Sequence, residues 1–330
     1  MEYLGHLHQK DYLFEYLRWE IFPQYGSDCR EGIRVFRTIG SNAVYIYEDR
    51  LTNTRVIGKF FFSPQTGDWD GAWRKLEREY NNLLYFRSIL SEPHYVAKPL
   101  GRNDDLNRLL VEEYCIGEPL DSVIMRSINN REPGILYEKL TALAYFLATV
   151  HNRSVQPGTV DFEENCRYMD HLLNRLDGVL SHRERETMEY WRNCWHDEPA
   201  MWEDNRVLVH GDATPSNFFF GDGLYVISFD MERVKATDRV FDVGRLAAEL
   251  QHFFLRSTGN KYAAEPFIGH FLWEYSCHFP DREQTFAAIK RRVPFYMGTT
   301  LLRIARNHYL DFNYRRQLVC EADLCLRRHG

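Results

Sequence analysis

Along residues 33–62 apolar and polar side chains alternate, IRVFRTIGSNAVYIYEDRLTNTRVIGKFFF, the period of strands with one buried face. Turn-forming residues interrupt the pattern at Gly40-Ser41-Asn42 and at Leu51-Thr52-Asn53, so the segment predicts a three-stranded antiparallel meander. The period then lengthens: a helix is predicted from residue 72 to about 90, with Leu76, Leu83, Phe86 and Leu90 in one stripe, followed by extended segments over 97–100 and 109–114. After Gly117, Leu136, Leu140, Leu143, Leu147 and Val150 repeat at helical spacing, and a hairpin over 207–230 is the main interruption of a helical rear half. Strands first and helices afterwards predict an α+β chain of two lobes, a β-rich one over residues 1–115 and a mainly helical one over 116–330, with a ligand crevice at their join.

Two charges sit where the pattern calls for apolar side chains. Lys59 shares a strand face with Ile57 and Phe61, and Glu79 falls inside the stripe between Leu76 and Leu83. A buried ammonium needs an anion and a buried carboxylate needs a cation, so the two are expected to pair; a snorkelling lysine and a glutamate bound to a neighbouring arginine is the plainer alternative. A third stretch, HGDATPSNFFF over 210–220, reads either as an ordinary turn before a strand or as a loop presenting a carboxylate and a carboxamide five residues apart.

A chain of 330 residues that is 44% hydrophobic can bury one large core or two modest ones. The N-terminal segment carries charges every few residues, and no stretch approaches the roughly 18 uncharged residues of a membrane span, so a cytoplasmic location without membrane association is expected. Seven scattered cysteines without a Cys-x-x-Cys pair fit reduced thiols. Charge is unevenly spread, with twelve Asp or Glu against five Arg over 161–204, and ten Lys or Arg against five acids over 281–330. The acidic span, with Trp191, Trp195 and Trp202, reads either as a wall for a cationic ligand or as surface helices that are acidic for solubility alone. In the basic block Arg291, Arg292, Arg303 and Arg306 lie among Phe295, Tyr296 and Tyr309, which amphipathic helix packing explains as well as nucleic acid would, and no nucleic-acid partner is expected.

His210-Gly211-Asp212 followed by Asn217 has the Asp-to-Asn interval of the kinase catalytic loop, with Gly where that loop has Arg. Together with Lys59, Glu79, Asp230 and the run Phe241-Asp242-Val243-Gly244, these residues make the chain, over roughly 33–255, resemble the superfamily of aminoglycoside phosphotransferases and choline kinases, small-molecule kinases with a bilobal protein-kinase-like fold. The resemblance implies a phosphotransferase that uses ATP and Mg²⁺, with Asp212 as catalytic base, Asn217 and Asp230 as metal ligands, and Lys59, braced by Glu79, on the ATP phosphates. It also implies that Ser41 and Asn42 cover the nucleotide, that main-chain groups from Glu113 to Cys115 receive the adenine, and that Asp242 braces the catalytic loop. Ile227-Ser228-Phe229-Asp230 departs from the family's Ile-Asp pair, and counting from Asn217 selects Asp230 over Ser228. The short interval between Asp230 and Asp242 leaves no room for the segment on which protein kinases position peptides. The expected acceptor is therefore a hydroxyl of a small molecule, an amino sugar, sugar or amino alcohol, with a cationic compound favoured by the acidic span. A non-catalytic nucleotide-binding protein is the alternative.

Overall fold

The computed structural model describes residues 1–38, 43–65 and 67–327, and the chain forms two units. The first comprises Met1–Ser91, Tyr95–Gly117 and the returning segment Ile227–Glu232. Its strands and helices are β1 (Glu2–His6), α1 (Tyr12–Tyr16), β2 (Ile33–Arg37), β3 (Ala43–Asp49), β4 (Arg55–Phe60), α2 (Trp69–Ile89), the end of a short β5 (His94–Val96), β6 (Pro99–Asn103) and β7 (Leu109–Glu113). They build a six-stranded sheet of order β1-β2-β3-β4-β7-β6, antiparallel throughout. The predicted meander is present, and its second turn is pinned by Asp49, whose carboxylate accepts from the Leu51 and Thr52 N–H groups and from the Thr52 hydroxyl. Its first turn, at Gly40-Ser41-Asn42, lies outside the described residues. β1 and α1 are additions to the predicted elements. β1 is largely exposed and exists through its pairing with β2, so it carries no burial period of its own.

The alternation along β4 sorts the sheet into two faces. Val56 and Phe60 join Leu17, Ile21, Phe22, Ile33, Tyr47, Leu109 and Val111 in an apolar core. Gly58 lies on that face because Tyr47 covers it: a Cβ there would meet the Tyr47 ring at 2.6 Å. Ile57 and Lys59 point the other way, as do their partners Glu112 and Leu110 on β7.

The second unit comprises Glu92–His94, Glu118–Val226 and Arg233–Gly330. In chain order it carries β8 (Glu118–Pro119), α3 (Leu120–Asn130), α4 (Pro133–Arg153), β9 (Val155–Thr159), α5 (Phe162–Asn174), α6 (His182–His196), β10 (Asn205–Val209), β11 (Phe218–Phe220), the start of β12 (Val226–Ser228) and β13 (Lys235–Thr237). Helices α7 (Val240–Thr258), α8 (Glu265–Ser276), α9 (Arg282–Ala305) and α10 (Phe312–Leu326) follow. α7 is buried along most of its length and packs on α9, which packs in turn on α10. β10 is flanked by β9 and β13, which fixes the start of the loop carrying Asp212. Among the described residues no helix is long and apolar enough to cross a membrane.

Candidate active site

In the first unit Lys59 is the centre of a buried carboxylate cluster. Its Nζ donates to both oxygens of Glu79, at 3.0 and 2.8 Å, and to Asp230 Oδ1 at 2.6 Å. Lys59 is 7% exposed and Glu79 not at all. β4 and α2 thus each supply the partner that the other's misplaced charge requires. Glu112, buried on the same sheet face, adds a third carboxyl whose Oε1 has no hydrogen-bond partner. Burial opposes the Lys59 charge, but Glu79, then Asp230 and Glu112, outweigh it and raise its pKa. Burial pushes Glu79 up to about 8 and Glu112 up to about 7 against the pull of Lys59. With three carboxyls around one ammonium, Lys59 keeps its proton and the excess negative charge is relieved at the carboxyls.

Asp230 enters this cluster from a left-handed backbone conformation, φ 64°. Aspartate tolerates that region better than most residues, at a cost of about 1–3 kcal/mol that is met most often at functional sites. Oxygens of Glu79, Asp230 and Glu232 lie within 4.8 Å of one another, a hard anionic set suited to Mg²⁺. Ser228, the competing register, is wholly buried.

The other nucleotide residues are distributed less completely. Ser41 and Asn42 lie outside the described residues. The Glu113 N–H is taken by the Lys98 carbonyl at 2.9 Å, and its side chain accepts from the Lys98 N–H at 2.7 Å, so Glu113 could offer a base only its carbonyl. The Cys115 N–H has no partner among the described residues, while its thiol leans on the Glu113 carbonyl at 3.8 Å, and burial raises the thiol pKa.

In the second unit Asp242, at the start of α7, accepts from the backbone N–H groups of His210 at 2.6 Å and Gly211 at 3.1 Å. His151 Nε2 reaches the same carboxylate at 3.4 Å and its Nδ1 meets the Tyr275 hydroxyl at 2.7 Å. Burial would raise Asp242, but the His151 bond and its other polar neighbours hold it below the ordinary carboxylate value. The loop is thereby clamped to the most buried helix. Gly211 adopts φ +78°, and a Cβ there would sit 2.0 Å from the Arg233 carbonyl, which explains why the position holds glycine. The Asn217 Nδ2 donates to the Asp212 carbonyl at 2.9 Å, which assigns the amide nitrogen to the loop and turns its oxygen to the opposite side.

Asp212 has three cationic partners that the sequence did not announce. Arg303 of α9 and Arg245 of α7 both donate to its Oδ1, at 2.6 and 2.9 Å, and Arg233 lies 3.6 Å from Oδ2. Burial would raise the Asp212 pKa, yet Arg303 and then Arg245 hold it below the usual carboxylate range, so Asp212 is ionised throughout the neutral range. A periodicity signal for Arg303 existed: it lies eleven residues, three helical turns, after Arg292. Arg292 itself pairs with Asp204 and Asp238, and Phe295 and Tyr296 are core residues. Arg292, Phe295 and Tyr296 of the basic block are thus explained by helix packing, whereas Tyr309 is exposed.

The acidic span reads differently once folded. Six of its twelve carboxylates are engaged with arginines, Glu163 and Asp170 with Arg192, Asp177 with Arg185, Glu184 with Arg316, Glu198 with Arg291 and Asp204 with Arg239, and Asp161, Glu164, Glu186, Glu189, Asp197 and Glu203 are exposed. Trp195 is buried, and the indole N–H groups of Trp191, Trp195 and Trp202 donate to Asp323, Leu326 and His196. The tryptophans pack helices. A cavity of about 540 Å³ is lined by Trp195, Glu198, Gln251, Tyr262, Arg291, Met297 and others, and by none of Lys59, Glu79, Asp212, Asn217 and Asp230.

The Lys59 and Glu79 pair can be tested as a unit. Lys59→Ala and Glu79→Ala are each expected to impair turnover, and the double variant to be little worse than either, a coupling of about 0.5–3 kcal/mol in the cycle. Fully additive effects on kcat/KM would show that the pair does not act together.

The sequence model described as phosphotransferase enzyme family matches residues 52–274. No curated protein matches the sequence. Among solved structures the chain is similar to Plasmodium vivax ethanolamine kinase, with a TM-score of 0.60 and 16% identity over 96% of this chain and 89% of that one. It is also similar to the ADP-bound aminoglycoside phosphotransferase APH(2'')-Ib, with 0.58 and 12% over 93% and 97%. A third is amicoumacin kinase hAmiN in complex with AMP-PNP, Ca²⁺ and Ami, with 0.56 and 16% over 91% and 89%. At these identities the likeness is one of fold.

Proposed function

The chain belongs to the phosphotransferase enzyme family and is a small-molecule kinase with an alcohol group as acceptor; from that premise we propose how its residues divide the work. The oxygen of the acceptor hydroxyl attacks the γ-phosphorus of ATP, the bond from that phosphorus to the β,γ-bridging oxygen breaks, and ADP leaves with that electron pair. Asp212 orients the hydroxyl and accepts its proton, which then passes to solvent. Lys59, held by Glu79, binds the ATP phosphates, and the Glu113 carbonyl and Cys115 N–H receive the adenine. Asp230 and Asn217 would hold Mg²⁺, which would neutralise charge on the phosphates. Asp242 keeps Asp212 in place through the two backbone N–H groups it accepts.

The observation that carries this reading is the Lys59 ammonium fixed between Glu79 and Asp230. A buried cation held by a helix carboxylate and sharing a second, more accessible one is suited to exchange that second partner for phosphate oxygens. The test is consumption of ATP with Mg²⁺ over a panel of neutral, cationic and anionic alcohols. Transfer of phosphate to at least one of them is the expected result; saturable ATP binding with no turnover on any member would favour the non-catalytic alternative.

A further inference from the structure

Around Asp212 the second unit gathers more positive charge than its own carboxylates use. Arg245, Arg303 and Arg233 reach Asp212 itself. Arg245 also lies 3.5 Å from the Tyr168 hydroxyl, and Lys235 lies over the Tyr168 and Phe241 rings, at 5.9 and 4.1 Å from their centres. Arg306, one turn beyond Arg303, shares the surroundings of Tyr168, Arg303 and Arg233. Glu249 faces Arg303 at 3.4 Å, Asp242 is committed to the loop backbone, and Glu164, the other carboxylate near Lys235, is exposed. Lys235 and Arg306 make no side-chain hydrogen bond or ion pair among the described residues, and the Nε–H groups of Arg245 and Arg303 are buried without a partner. Arg245 is only 3% exposed.

We propose that the phosphate acceptor is an alcohol that itself carries an oxyanion group, a carboxylate or a phosphate ester, and that Lys235, Arg303 and Arg306 bind that group beside Asp212. The assignment rests on the phosphotransferase reading and names its substrate class. Crowded cations repel one another, and an anion entering among them supplies the missing counter-charge while gaining charge-assisted hydrogen bonds from guanidinium groups suited to carboxylate and phosphate. The packing also records that crowding: burial, then Arg245, brings Lys235 down to about 8. An ammonium-bearing acceptor would enter against this field, and half of the acids in the span that would attract it are engaged with arginines. Binding has a further consequence at Asp212. An acceptor oxyanion draws Arg303 toward itself, weakens its hold on Oδ1 and leaves that carboxylate a better proton acceptor for the hydroxyl on the same molecule.

Four alcohols of similar size separate the possibilities: D-glycerate, glycerol 3-phosphate, neutral glycerol and cationic ethanolamine, each assayed for ADP release with ATP and Mg²⁺. One or both anions are expected to exceed glycerol and ethanolamine in kcat/KM by about tenfold or more, and the better of the two identifies carboxylate or phosphate as the group recognised. Arg306→Gln and Lys235→Gln are expected to raise KM for that anion about tenfold with kcat within a few-fold, and not to lower kcat/KM for ethanolamine, which then meets less positive charge. Circular dichroism melts confirm that each variant is folded, and Arg306, the more accessible, serves if Lys235→Gln is not. Turnover of ethanolamine or glycerol ahead of both anions overturns the assignment and leaves the kinase intact. Calorimetric titration of D-glycerate and glycerol 3-phosphate in saturating AMP-PNP reads the site without turnover. Binding that is lost in Arg306→Gln supports the anion site even if no alcohol is phosphorylated, and absence of binding by both probes overturns it.

Discussion

Replacing Asp212 by Asn is expected to lower kcat by a factor on the order of 10²–10⁴ while ATP affinity stays within a few-fold of the parent. The substitution keeps the shape of the side chain and removes the charge, so it separates the carboxylate's role from its packing. Asp212 belongs to the loop clamped by Asp242 through backbone N–H groups, and those bonds do not involve its side chain, so the loop is expected to hold its course in the variant. Two guanidinium groups would then face a neutral amide. The pH profile of the parent carries a second signature. Because Arg303 and Arg245 outweigh burial and lower the Asp212 pKa from its ordinary 3.8, protonation of this residue removes activity only below that value. The kcat/KM profile should therefore show no acid limb from Asp212 between pH 5 and 7. Single-turnover rates, ATP titrations and a pH profile of the parent measure all three; near-parental turnover in Asp212→Asn removes the residue from the mechanism.

Asp230→Ala is expected to abolish Mg²⁺-dependent phosphotransfer, and Asp222→Ala to be close to silent. The two residues are eight positions apart, yet Asp222 is exposed in the turn after β11, whereas Asp230 reaches Lys59 at 2.6 Å and shares its surroundings with Glu79 and Glu232. Removing Asp230 takes away the oxygen donor proposed for the metal and one of the two carboxylates bonded to Lys59 at once. Alanine also loses the aspartate's tolerance of φ 64°, so part of the effect is positional, and Asp230→Asn, which retains that tolerance, isolates the charge. Activity measured across a Mg²⁺ titration distinguishes them: Asn should shift the metal requirement upward and Ala should leave no activity to titrate. An essential Asp222 beside a dispensable Asp230 would move the metal site to another register.

Lys59 and Glu79 were legible because each violates the period of its own element, a lysine in a strand's apolar face and a glutamate in a helix's apolar stripe. Such violations have few physical remedies, and pairing with each other is one. The Asp212, Asn217 and Asp230 set was legible through spacing within one loop and hairpin. Glu112 was within reach of the same reasoning, since alternation along β7 puts it on the Lys59 face, but the pair Glu112-Glu113 looks like a solvated strand end until β4 and β6 are known to flank it. The tryptophans misled for the converse reason: aromatic rings serve ligands and helix contacts equally well, and nothing local distinguishes the two.

By itself the sequence determined the order of elements, the strand-rich front and helical rear, the braced lysine and the carboxylate loop, because each of these depends on side-chain period or short spacing, and such interactions are set within a few residues. Tertiary structure alone decided what surrounds Asp212. Arg245 and Arg303 arrive from 33 and 91 residues away, on helices whose mutual packing chooses which of many arginines reaches one oxygen. It likewise decided which acids of residues 161–204 find arginines and which face solvent. Net charge along a segment is additive and can be counted, whereas the field at a site depends on which charges have been neutralised by partners, and that is a property of the folded chain.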